Sequence, residues 1–322
     1  MIMMIVAFLL GLILCLLLGI PYIDFLKKKM IGQYIRDLAP ENHKQKEGTP
    51  TTGGVFIIVS AFIGAVITLC MAQQFSTSAW IVLITFLFYA LAGFQDDFLK
   101  IKGHENKGLS ARGKFLRQVL IAVLPVLYVM VTNDHGTYIS FGKYSVDFMW
   151  LYPVVAVCAI TGASNAYNLT DGLDGLAAST GVFAFLATAV IAKLTGCTYL
   201  AIIASAVTGA LLGFLRYNKP KAQVFMGDTG SLAIGGLLGA LAVMGKFEIY
   251  LIILAGIFVI ETLSVILQVI SFKTTGKRIF KMSPIHHHFE LCGFNEKQIV
   301  TGFAIFSMIC GIIAVCLFRF IG

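Results

Sequence analysis

The sequence predicts an all-α fold, a polytopic membrane protein of ten transmembrane helices. Three observations carry that prediction. Of the 322 residues, 58% are hydrophobic and only 12% charged, about half the charged share of an ordinary soluble domain. Apolar runs of roughly 17 to 25 residues, long enough to cross a bilayer as helices, recur along the chain. Basic residues are crowded into alternate connecting loops, the pattern left when Lys and Arg are retained on one side of a membrane.

The spans are drawn at Met1 to Ile20, Val55 to Ala72, Ala79 to Phe94, Leu116 to Val131, Met149 to Ala166, Leu176 to Ala192, Tyr199 to Leu215, Ser231 to Met244, Ile249 to Phe272 and Ile299 to Phe318. The spans starting at Leu116 and ending at Met244 are short, and neutral flanks such as Thr132 and Gly230 are expected to complete them. The loops after spans one, three, seven and nine, with their edges, hold 20 of the 24 Lys and Arg residues. An even number of crossings with this bias places both termini outside and five loops inside, and residues 1–322 are read as a single integral membrane domain. The first span has no small-residue cleavage site and is read as an anchor that stays.

Two function classes fall away at this level. The formal charge of +8 is accounted for by retention and by contact with anionic lipid, so no nucleic acid partner is expected. Seven cysteines, mostly inside apolar segments, show no CxxC spacing, so cysteine chemistry is not expected.

The outside loops are short apart from residues 133–147, where two alternating stretches around Phe141-Gly142 predict a small hairpin. The inside loops carry 12 of the 16 acidic residues and five of the six histidines. Chemistry is therefore expected on the cytoplasmic face, in five segments. His43 to Gly54 brings Lys46, Thr51 and a Gly-Gly helix start whose free N–H groups suit an anion, or simply cap a helix entering the membrane. Phe94 to Lys100 places Asp96 and Asp97 side by side at a low-dielectric boundary. Adjacent carboxylates there call for a cation or a shared proton, unless both are solvated.

Asn165 to Gly175 offers Asn165, Asn168, Asp171 and Asp174 with Gly172 and Gly175, hard oxygen ligands of the kind Mg²⁺ takes, or an Asx-rich turn. Asn218 to Ser231 contains Phe225, an aromatic face able to stack on a base, then Gly227 and Asp228, read as a metal ligand or a helix cap. Ser283 to Glu290 contains His286, His287 and His288. Successive helical side chains diverge by about 100°, so the three cannot serve one metal from one helix face, whereas in a loop each can reach a different phosphate oxygen. Glu261, mid-way along span nine with Gln268 on roughly the same face, is read either as a mark of a lipid groove or as a buried interhelical hydrogen bond. Carboxylates, phosphate donors and a stackable aromatic on one membrane face are what a reaction between two anions needs, one of them a lipid.

With these motifs, the sequence resembles the phospho-N-acetylmuramoyl-pentapeptide transferase family, within the polyprenyl-phosphate N-acetylhexosamine-1-phosphate transferases. The five segments appear in family order along the whole chain, and Pro284 to Glu290 favours the muramoyl-pentapeptide branch. The resemblance implies transfer of a phospho-sugar from UDP-N-acetylmuramoyl-pentapeptide to undecaprenyl phosphate, giving UMP and lipid I, with Mg²⁺. It also implies a bacterial plasma-membrane location and a homodimer. By resemblance, Asp96 acts on the lipid phosphate and Asp228 binds metal together with Asn165 and Asp171. Asp97 supports them, and His287 is a catalytic candidate. Lys46, Thr51, Lys100, Lys114, Asn168, Leu169, Asp171, Gly172, Asp174, Asn218, Phe225, Gly227, Gln268, His286, His287 and His288 line the substrate site, with Phe225 against uracil. Arg112 and Lys114, which flank a glycine, are the two candidates for the family's basic residue. Direct attack by the lipid phosphate and an aspartyl phospho-enzyme both fit the sequence. Two rival readings are a transferase of N-acetylglucosamine phosphate and, from another class, a secondary transporter.

Overall fold

A computed structural model describes residues 1–29, 48–103, 108–132 and 136–321. Lys46 lies outside the described residues. The chain is an all-α polytopic membrane protein: among the described residues, ten helices are long and apolar enough to cross a membrane.

The helices run in chain order as α1 (Ile2–Lys28), α2 (Gly54–Met71), α3 (Thr77–Gly103), α4 (Ala111–Thr132), α5 (Tyr152–Thr170), α6 (Leu176–Leu194), α7 (Thr198–Asn218), α8 (Gly227–Met244), α9 (Glu248–Leu254), α10 (Gly256–Thr275), α11 (Ile285–Leu291) and α12 (Glu296–Ile321). The two short spans are completed as expected, α4 reaching Thr132 and α8 starting at Gly227. Between α4 and α5 the hairpin forms from β1 (Tyr138–Phe141) and β2 (Tyr144–Asp147), paired antiparallel with Phe141 opposite Tyr144. Gly142 in its turn has φ +60, a backbone region glycine enters without a Cβ penalty.

Two elements differ from the drawn spans. The helix of span three does not stop near Phe94 but continues to Gly103, so Asp96, Asp97 and Lys100 sit on a rigid helical surface. The ninth span is not one helix. It breaks at Ala255, where φ −94 and ψ 18 are not helical and separate the short α9 from α10.

The bundle is organised around α8, in which every residue from Asp228 to Met244 is buried. Glycine and alanine make up nearly half of GDTGSLAIGGLLGALAVM, and such small side chains let neighbouring helices close over every face. It packs against α3 and α5, with α2 and α4 in smaller contact, while α1 lies along α7 and α12 along α6. Small residues allow the close approach, as expected where helices associate by van der Waals packing. A Cβ on Gly93 of α3 would overlap the carbonyl of Asp228. That contact brings the acidic end of α3 directly onto the start of α8.

Candidate active site

At one end of the bundle, two helices deliver three carboxylates to one place. Asp96 and Asp97 come from α3 and Asp228 from the first turn of α8, with ligand oxygens of all three within 4.8 Å of one another. All three are buried. Carboxylates gathered this way repel one another and need positive charge. Here Lys100, one helical turn beyond Asp96, lies 2.6 Å from Asp96 Oδ2 and 2.8 Å from Asp228 Oδ2. Lys114 reaches the same Asp228 Oδ2 at 2.8 Å. Of the two basic candidates on α4, Lys114 therefore faces the cluster and Arg112 is exposed.

The neighbouring aspartates on α3 are used differently, because adjacent side chains on a helix diverge by about 100°. Asp97 is turned onto α8. Its Oδ1 accepts from the Asp228 N–H at 3.0 Å, and its Oδ2 accepts from the N–H and hydroxyl of Thr229 at 2.9 and 2.6 Å. It thereby satisfies donors that the first turn of a helix leaves open. Asp96 turns instead toward the α3–α4 connection, with Oδ1 accepting from the Leu109 N–H at 2.8 Å.

The α5–α6 turn closes the opposite side. Asn168 donates to Asp228 Oδ1 and to the Ser231 hydroxyl, each at 2.7 Å. Asp171 follows α5. Burial first, then the negative charges of Asp228, Asp97 and Asp174, push its carboxyl up to about 8. Gly227, with φ +72, sets the start of α8 against Thr51 and Asp97, and a Cβ there would crowd both side chains.

The histidine run is a helix, not a loop. On α11 the three side chains consequently diverge, and only His286 is buried. Its Nδ1 lies 3.0 Å from Glu261 Oε1 on α10, and its Nε2 abuts Gly172. His287 Nδ1 pairs with Glu290 Oε2 at 2.6 Å. His288 Nδ1 accepts from the Lys281 N–H at 3.2 Å, on the side away from His286. Beside this helix an apolar cavity of about 390 Å³ is lined by Ile257, Ile260, Ile285, Phe289 and Phe303 among others. The oxygen donors at Asp96, Asp97 and Asp228 form the kind of hard set that suits a divalent cation.

Residues 79–246 match the family model described as glycosyl transferase family 4. A phospho-N-acetylmuramoyl-pentapeptide-transferase of Halalkalibacterium halodurans is 45% identical over 311 residues, covering 96% of this chain and 95% of the relative. That of Bacillus subtilis is 47% identical over 304 residues, covering 92% and 91%. The chain belongs to the phospho-N-acetylmuramoyl-pentapeptide-transferase family.

Within this transferase the expected site residues divide into two groups. Asp96, Asp97, Lys100, Lys114, Asn168, Asp171, Gly227 and Asp228 converge at the meeting of α3, α4, α5 and α8, with Thr51 against Gly227. Gly172 meets His286 at the edge of that cluster. Several others are spent on holding connections. Asn165, expected as a metal ligand, instead donates to Gln118 Oε1 at 2.6 Å and to the Thr161 carbonyl at 2.8 Å. Asp174 Oδ2 accepts from the Ala222 N–H at 3.0 Å, and Asn218 bridges Gly175 N and Val224 O at 3.0 and 2.9 Å. Gln268 Oε1 accepts from Ile279 and Phe280, and its Nε2 donates to the Phe280 carbonyl. Leu169 and Phe225 are half-buried, Phe225 with its backbone tied to Pro50 and Gly53. Those ties also correct the Gly-Gly anion reading: Gly53 N and Gly54 N already donate to the Phe225 and Met226 carbonyls, each at 2.8 Å.

The residues that sequence reasoning passed over are Gln118, Thr229 and Ser231. Gln118 carried a usable signal, being a polar side chain one helical turn from Lys114, with an apolar run beginning directly after it. Thr229 and Ser231 had none beyond their nearness to Asp228.

Proposed function

We propose that the chain transfers phospho-N-acetylmuramoyl-pentapeptide from its UDP conjugate to undecaprenyl phosphate, releasing UMP and forming lipid I, the first membrane step of peptidoglycan synthesis. The observation that carries this reading is the convergence of Asp96, Asp97 and Asp228 with Lys100 and Lys114, in a chain so nearly coextensive with the named transferases.

The carboxylates outnumber the ammonium groups, so the cluster retains an attraction for a further cation. Mg²⁺ held by Asp96, Asp97 and Asp228, with Asp171 beside them, supplies charge neutralisation between two phosphate-bearing substrates and at the leaving group. The chain's own residues do the rest. Lys100 and Lys114 bind phosphate oxygens, and Asn168 orients Asp228. Asp96, whose carboxylate is the less committed of the α3 pair, keeps the lipid phosphate ionised for attack. Phe225 offers its face to uracil, and the polar groups around Gly172 and His286 hold the sugar part of the substrate.

The charge bias of the loops supports a bacterial plasma membrane orientation with both termini outside and this site facing the cytoplasm. The family further supports a homodimer. A side-by-side assay of the purified chain with UDP-N-acetylmuramoyl-pentapeptide and UDP-N-acetylglucosamine, each with undecaprenyl phosphate, tests the sugar assignment. Turnover of the first alone is expected; turnover of the second alone overturns it.

A further inference from the structure

We propose that Glu261 is a positioning residue that sets the ring of His286 so that Nε2 is presented, as an acceptor, to a hydroxyl or N–H donor of the bound substrate. Glu261 lies on α10 and His286 on α11, and they are 0% and 1% exposed. One contact joins them, His286 Nδ1 to Glu261 Oε1 at 3.0 Å. A carboxylate at Glu261 accepts only, so in that pairing the facing nitrogen carries the hydrogen and Nε2 is left as the acceptor.

The remaining polar atoms of the pair are what make this more than a structural bond. Glu261 Oε2 and His286 Nε2 have no hydrogen-bond partner among the described residues. Buried polar atoms are nearly always satisfied, and an exception calls for a role. Nε2 is directed at Gly172, where a Cβ would overlap it. Gly172 follows Asp171, so the unpartnered nitrogen lies against the turn that borders the carboxylate cluster. On the other side, Ile260 and Ile285, the residues preceding the pair, face the cavity, whose lining is almost wholly apolar. The ring thus has one fixed end and one end reserved for something that arrives.

The proposal rests on the transferase reading only in taking the arriving donor group to belong to the UDP-linked substrate. Two readouts keep the two separable. Magic-angle-spinning NMR of ¹⁵N-histidine-labelled protein in lipid, with the His286 signals assigned by their loss in His286→Asn, reports which ring nitrogen is protonated and needs no turnover. Nδ1 is expected to carry a proton in the unsubstituted chain and to lose it in Glu261→Ala. An unprotonated Nδ1, or a spectrum unchanged by the substitution, overturns the proposal.

Kinetics with UDP-N-acetylmuramoyl-pentapeptide form the second readout. Glu261→Ala and His286→Ala should each lower kcat/KM by roughly 10- to 100-fold, the usual scale for a partner that orients a functional histidine. The double variant should fall within about twofold of His286→Ala, because Glu261 acts only through the ring. Losses that multiply overturn the proposal. Glu261→Gln keeps the volume and an acceptor oxygen, so it should fold and retain more activity than Glu261→Ala. Equal loss in the two, with unchanged thermal stability, counts against positioning through Nδ1.

Discussion

Asp97 holds Thr229 twice through a single oxygen, Oδ2, which accepts from the threonine N–H at 2.9 Å and from its hydroxyl at 2.6 Å. The bond ties the end of α3 to the first turn of the central helix and gives Asp97 a structural task that its neighbour Asp96 does not share. Asp97→Asn replaces one acceptor by a donor facing N–H groups. It is expected to lower stability by about 1.5 to 3 kcal/mol, the worth of hydrogen bonds to a charged group, and to lower turnover with it. Asp96→Asn should abolish most turnover with a nearly unchanged melting temperature. Thermal unfolding of both variants in detergent checks the contrast; equal destabilisation would erase it.

Phe225 is half-buried on the segment leading into α8, close in sequence to Asp228. Loss of its ring in Phe225→Ala should weaken the UDP-substrate interaction by about 1 to 3 kcal/mol, the scale of base–aromatic stacking. Steady-state kinetics with varied nucleotide sugar reads this as a raised KM. Unchanged KM and kcat remove Phe225 from the uracil site.

The carboxyl of Asp171 is pushed up to about 8, by burial and then by the surrounding carboxylates. In the metal-free folded chain it therefore holds a proton near neutral pH that the unfolded chain has lost, so its contribution to stability falls as pH rises toward 8. A divalent cation must displace that proton. Mg²⁺ affinity, followed by titration calorimetry, should rise with pH and level off above about 8, with proton release at the acid end. A pH-independent affinity and no proton release would separate Asp171 from the cation.

Cys292 directly follows α11 and is exposed, at the end of the bundle that carries the carboxylates. In a variant keeping only this cysteine, a membrane-impermeant maleimide should label inside-out vesicles and spare right-side-out ones. The reverse pattern would put the site on the outer face.

Much of this architecture was legible because membrane burial imposes length and composition on each span. The ten crossings and the gathering of acidic groups at one end follow from that constraint, and the hairpin around Gly142 from alternation along two short stretches. The break at Ala255 was not legible, since an alanine and a glycine inside an apolar run leave no mark in composition. Which of Asp96 and Asp97 faces α8 depends on how α3 is rotated, and that is set by Gly93 lying against Asp228. The Glu261–His286 pair joins residues 25 positions apart through the reversal between α10 and α11, and no periodicity links them. The Gly53 and Gly54 N–H groups looked free because their acceptors, the Phe225 and Met226 carbonyls, lie more than half the chain away.

In the proposed reaction, carboxylates from α3 and α8 would hold a cation where a polyprenyl phosphate displaces UMP. UMP release from UDP-N-acetylmuramoyl-pentapeptide by the chain in detergent, with no sealed compartment, measures it for the unsubstituted protein and for Asp228→Asn. Release is expected to require both undecaprenyl phosphate and Mg²⁺ and to be lost in the variant at any Mg²⁺ concentration. Near-normal release by the variant, or none by the unsubstituted chain with both substrates present, would contradict it.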